Sequence, residues 1–269
     1  MSLLQLTVVA AAVVSVGCLN SSTQIPGPGK EKAYPVTIKE SPERRARAER
    51  EWRRMLETYN VPQTPPDLHP IIYTPRTLLG VQSGIAIIPE RQAGAIEPIA
   101  LREALKGFFD RWRDLFGASS ADLSLVSAEE QSENTQRLSY RQSNYPYPVV
   151  GGFGEMVAVI TQTGLLKQFD DRVIPLVEVP PPQLDRQAAA QRVGGRTFTY
   201  SDIAGGEQRA QVGINEVTVK QLVIFPVEKG NAIEVYLAWE VTAGSALSWT
   251  IFVDALTGEE LRTEQNFKS

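Results

Sequence analysis

The apolar residues Leu101, Leu105, Phe108, Trp112 and Leu115 recur at intervals of three and four, which puts them on one helical face, and after Gly117 the period of the chain changes to two. A face that broad has to be covered, and strands follow to cover it. Residues 123–128, 137–142, 156–161 and 165–177 read as strands, separated by turn formers such as Gln162-Thr163-Gly164. The same order then returns. Residues 184–193 read as a short helix with Asp185 as N-cap and Gly194 as its stop. Strands are expected again at 217–227, 233–241, 249–253 and 259–265, with Glu228-Lys229-Gly230-Asn231 as a turn. Within them Ile233, Val235, Leu237, Trp239 and Val241 alternate strictly with their neighbours. A helix laid on successive antiparallel strands, twice over, is an α+β fold.

Ahead of these lie three further segments. Residues 18–40 contain Ile25-Pro26-Gly27-Pro28-Gly29 and little apolar periodicity, the composition of a flexible tether. Residues 41–69 hold a charged helix and a Pro-rich linker. Ser41-Pro42-Glu43 starts that helix, Trp52, Met55, Leu56 and Tyr59 form its apolar stripe, and interleaved Arg and Glu make the rest a solvated face. His69 sits between Leu68 and Pro70 with no Cys, second His or carboxylate cluster nearby in sequence, so a structural or exposed role is expected. Residues 79–87 alternate with period two and read as a strand. Pro180-Pro181-Pro182 reads as a stiff spacer, which divides the remainder into domains at 70–179 and 180–269, hinged at 177–184. Gly151, Gly152 and Gly154 are followed by neither a helix nor Lys-Ser/Thr, so a bulge or bend is expected there, not a phosphate loop. Asp170-Asp171 and Glu129-Glu130 read as solvated charges at strand ends.

The first residues point to export. From Leu3 to Val16 the chain is almost wholly apolar. That is shorter than the ~20 residues needed to span a bilayer, and it has the length of a signal-peptide core, so residues 1–17 are expected to be a signal peptide. Gly17-Cys18 resembles the lipobox of bacterial lipoproteins, which implies lipidation of Cys18 and a membrane anchor there. Leu19 after the cysteine resembles the signal for outer-membrane sorting in a Gram-negative cell; the alternative is a secreted protein. Cys18 is the only cysteine, so no disulfide forms within the chain and stability has to come from packing. The net charge is −4, and the whole acidic excess lies from Glu178 onward. Neither part carries the positive field that phosphate binding needs, and nucleic acid is not an expected partner.

Two stretches carry a family resemblance. Tyr145-Pro146-Tyr147-Pro148-Val149-Val150-Gly151-Gly152-Phe153-Gly154-Glu155 is the first, and Leu237-Ala238-Trp239-Glu240-Val241 with Phe252-Val253-Asp254-Ala255-Leu256-Thr257-Gly258-Glu259-Glu260-Leu261 is the second. In order and spacing they resemble the FTP and PepSY modules of the thermolysin-family metalloprotease propeptide, over residues 79–267. The resemblance implies two cystatin-like domains, FTP-like at 70–179 and PepSY-like at 180–269, of the kind that chaperones and blocks a protease. The protease itself is not in this sequence. Its zinc site needs two His one helical turn apart with a Glu beside the first, and the only histidine is His69. The reading is therefore a non-catalytic envelope lipoprotein, without metal or cofactor, that binds a secreted metalloprotease in trans. The alternative is a structural or ligand-binding lipoprotein that keeps the fold without that partner. Asp254, Thr257 and Gly258 read as a structural turn, because short polar side chains bond backbone amides there and glycine takes positive φ. Glu259, Leu261 and Thr263, which follow it, are the candidate partner-binding residues.

Overall fold

The computed structural model describes residues 33–78, 84–88, 96–131, 134–201, 204–245 and 247–267. In chain order they form β1 (Val36–Lys39), α1 (Pro42–Thr58), β2 (Asp67–Leu68), β3 (Pro75–Thr77), β4 (Ile85–Ala86), α2 (Pro98–Arg111), α3 (Arg113–Phe116), β5 (Leu123–Gln131), β6 (Thr135–Gln142), β7 (Glu155–Thr161) and β8 (Leu165–Asp171). There follow α4 (Arg186–Val193), β9 (Thr197–Ser201), β10 (Glu207–Gln211), β11 (Val217–Lys229), β12 (Ala232–Ala243), β13 (Trp249–Asp254) and β14 (Glu260–Gln265). The fold is α+β, built on two five-stranded antiparallel sheets and two small hairpins. The expected signal peptide, Cys18, residues 19–32 of the tether and residues 79–83 of the expected strand lie outside the described residues.

The first sheet runs in the order β4-β8-β7-β6-β5, and α2 and α3 cross one of its faces. Pro98 occupies the start of α2, where a missing N–H breaks no helical bond, and Gly117 at φ +69° closes α3 in the left-handed region. Leu101, Leu105, Phe109 and Phe116 meet Leu138, Met156, Ile160 and Phe169 in one buried cluster, with Phe116 and Phe169 4.6 Å apart between ring centres. The charged helix α1 joins this core through Trp52, Met55 and Leu56. Its arginines stay outside, paired locally as in Arg45–Glu49 at 3.1 Å, an arrangement worth tenths of a kcal/mol at most. Burial of Trp52, whose Nε1 donates to the Thr64 carbonyl at 2.7 Å, is what holds the helix down.

The second sheet centres on β12. One side of β12 pairs with β11 along its whole length; the other pairs with β13 at Ala238–Ala243 and with β1 at Ala232–Val235, and β14 lies beyond β13. α4 covers one face, where Ala189 and Val193 pack with Val241, Ile251 and Val253. The opposite face is buried as well. There Phe225 and Phe252 stack at 4.3 Å beside Tyr236 and Ala238.

Four expectations are corrected by these contacts. The tether predicted for 18–40 is not uniform, because β13 covers only part of β12 and leaves Ala232–Val235 an unpaired edge, which Val36–Lys39 fills as β1. The hinge at 177–184 is exposed at Glu178, Pro181, Pro182 and Gln183, as expected, but it is not loose. Val177 and Val179 pack on a cluster drawn from both sheets, and the Gln183 and Leu184 amides donate to the Ala255 carbonyl at 2.9 and 2.8 Å. Everything from Ala33 onward is accordingly one compact unit, and the boundary expected at 179/180 is a crossing between sheets that share a core. The strand expected over 165–177 ends at Asp171, and Asp171 is no solvated charge: it is fully buried. Its Oδ1 accepts the Val173 amide at 2.9 Å, so the side chain organises the bend by which the chain leaves the sheet.

Candidate functional site

The Tyr145–Glu155 stretch joins the two sheets. The Val150 amide donates to the Ile224 carbonyl at 3.0 Å and the Ile224 amide to the Pro148 carbonyl at 2.8 Å, which covers part of the outer edge of β11. Gly151 then passes over the Phe225 ring so closely that a Cβ would sit 3.0 Å from it, and Gly154 passes Val149 so closely that a Cβ would stand 2.5 Å away. Both have positive φ, so glycine is required by space and by conformation together. The bend expected from sequence is therefore a bridge.

Beside this bridge opens a cleft of about 580 Å³, walled by the first half at Asp67, His69, Arg76, Asp170 and Arg172 and by the second at Glu228 and Arg262. A larger groove of about 870 Å³ runs between α1 and the Pro-rich stretch, but it is lined mainly by solvated polar side chains of one helix and one loop. The cleft concentrates the chemistry. Arg76 approaches Asp67 at 3.5 Å, Arg172 approaches Asp170 at 3.4 Å, and Arg262 approaches Glu264 at 3.4 Å while lying over the Phe225 ring.

His69 is buried at the edge of the cleft. Its Nδ1 accepts the amides of Ile71 and Ile72 at 3.2 and 3.4 Å, which leaves the proton on Nε2 to be donated to Glu228 at 3.2 Å. Burial lowers the pKa of its imidazole, and the Glu228 carboxylate offsets this only in part. Of the structural or exposed roles expected, burial removes the second, and the structure adds what sequence could not supply: the partner of His69 is 159 residues away. Asp171 also lines the cleft, and its Oδ2 has no hydrogen-bond partner among the described residues. Burial, first, and then Asp170 hold its carboxyl well above the usual range, against the pull of the Val173 amide.

At the other motif, Asp254 Oδ1 accepts the amides of Leu256 and Thr257 at 2.8 and 3.3 Å, Thr257 Oγ1 accepts the Glu259 amide at 3.2 Å, and Gly258 has φ +76°. Asp254 does more than shape its turn. It is buried and takes the Tyr34 hydroxyl at 2.8 Å, a contact from the segment read as tether. Of the candidate partner-binding residues, Glu259 is exposed and Thr263 is half-buried on β14, where it bonds Glu260 at 2.6 Å. Leu261 is half-buried and packs against the Phe225–Phe252 layer, where a bulge in the β13–β14 register falls. Among the described residues β14 has a strand on one side only.

Fold and site together define an α+β protein of two helix-on-sheet halves with a polar cleft between them. No family model and no curated protein matches the chain. Among solved structures it is similar to the Bacillus megaterium YpeB C-terminal domain, with 13% identity over 67% of this chain and 70% of that one and a TM-score of 0.33. At that level neither fold nor function follows from the likeness.

Proposed function

We propose that the protein is a non-catalytic lipoprotein of the cell envelope, anchored through Cys18 in the outer membrane of a Gram-negative cell, that binds and modulates a peptidase in trans. The propeptide resemblance of the two motif stretches supplies the class of partner. The observation that carries the reading is the edge of β14 left open among the described residues, directly after the Asp254 turn. An open edge binds an extended segment by strand addition, with main-chain hydrogen bonds giving affinity and alternate side chains giving selectivity. The Asn266 amide bonds the Ser248 carbonyl at 2.9 Å, and by the alternation of an antiparallel pair this turns the Thr263 amide away from β13, toward the open side.

The mature protein is expected to bind a secreted metalloprotease of its own organism more tightly than a serine protease, measured by calorimetry. Thr263→Pro removes the outward amide without touching the ladder to β13, and should weaken that binding at least about tenfold while the melting temperature stays the same. Should the intact protein bind no such protease, the alternative of an envelope lipoprotein without a protease partner takes its place. The anchor has its own test. Cys18→Ser should move the protein out of the detergent phase, and unchanged partitioning removes Cys18 as the lipidation site.

A further inference from the structure

We infer that the cleft between the two halves holds the free α-carboxylate of a peptide chain end. Three guanidinium groups face it, Arg76, Arg172 and Arg262, and each meets its neighbouring carboxylate only at 3.4 to 3.5 Å, beyond the usual 2.9 to 3.0 Å of a well-made bond. A guanidinium has five N–H donors in a planar fork, so most of them stay available here, and the fork matches the two oxygens of a carboxylate. The side chains are 54%, 55% and 40% exposed, which leaves them free to turn toward a ligand.

The Gly151-Gly152 turn adds backbone donors at the same place. Neither amide gives a hydrogen bond to a protein acceptor among the described residues, and a Cβ at Gly152 would touch nothing, so a ligand oxygen can approach the backbone closely. Charge balance selects the ligand. Asp67, Asp170, Glu228 and Asp171, the last fully buried so that its charged form is disfavoured, line the cleft alongside the three arginines, and the wall has no net positive field for a phosphate dianion. A singly charged carboxylate on an otherwise neutral chain fits that balance, and about 580 Å³ lies within the range of small-ligand sites.

The test passes a randomised tripeptide library with free carboxyl ends over the immobilised mature protein, beside the same library amidated. The free acids should be retained at least tenfold more than the amides, and millimolar inorganic phosphate should not displace them. Arg172→Gln and Arg262→Gln should each reduce retention tenfold or more, with Arg262→Lys falling between because it keeps charge but loses the fork; the unchanged melting temperature of each variant is checked first. Equal retention of acids and amides, no retention of either, displacement by phosphate, or indifference to both substitutions overturns the inference. The assay contains no protease, so the reading of the β14 edge stands or falls separately.

Discussion

Asp171 is the residue whose energetics can be read most directly. Its carboxyl is fully buried with one oxygen unpartnered among the described residues, and burial raises its pKa, so the folded state binds this proton more tightly than the unfolded chain does. The stability it confers is complete below the ordinary aspartate pKa of about 3.9 and is lost as pH rises toward the raised folded value. Asp171→Asn keeps an oxygen for the Val173 amide and removes the charge. The melting temperature of the variant minus that of the parent should therefore climb from pH 4 to pH 8; a flat difference would mean that Asp171 does not titrate with folding. The carboxylate pair Asp170-Asp171 shows why the expectation of two solvated charges failed at the second. Neighbouring strand residues point to opposite faces, so two identical side chains have opposite fates once the sheet acquires a buried side.

At the scale of elements, β1 is the part that had to be seen. Four residues fill the edge of β12 that β13 leaves open, and Tyr34 closes the step between them. Its hydroxyl donates to Asp254 at 2.8 Å and accepts the Leu237 amide at 3.2 Å, in the gap between the β1 and β13 pairings. Tyr34→Phe strands that amide, and about 1 to 2 kcal/mol of stability should go with it, read as a lower urea midpoint with unchanged slope. An unchanged midpoint would show that water replaces the hydroxyl at no cost. By contrast α4 was legible in advance, because its cap and apolar spacing are local, with Asp185 Oδ1 accepting the Ala188 amide at 2.7 Å as an N-cap does. The apolar face over 101–115 was legible too, but the single helix expected there is broken at Trp112 into α2 and α3.

Over the whole molecule the decisive feature is the shared cluster. Ile71, Tyr145, Val149 and Ile174 from the first half are buried with Ile224, Val235, Leu237 and Ala255 from the second. Separating the halves would expose all of these, so unfolding should be a single cooperative transition. Trp52 and Trp112 report on the first half and Trp239 and Trp249 on the second, so fluorescence and far-ultraviolet circular dichroism should give coincident curves. Two resolved transitions would restore the independent domains that the prolines implied. The α+β class, the starts of α1 and α4 and the Asp254 turn were readable along the chain, because each depends on residues within one or two turns of it. Long-range packing made Tyr145–Glu155 a bridge and Val36–Lys39 a strand, buried Asp171, and brought three arginines, from β3, from just past β8 and from β14, to one cleft. Those juxtapositions join residues far apart in the chain, and no local periodicity encodes which edge is left open for a distant segment to fill.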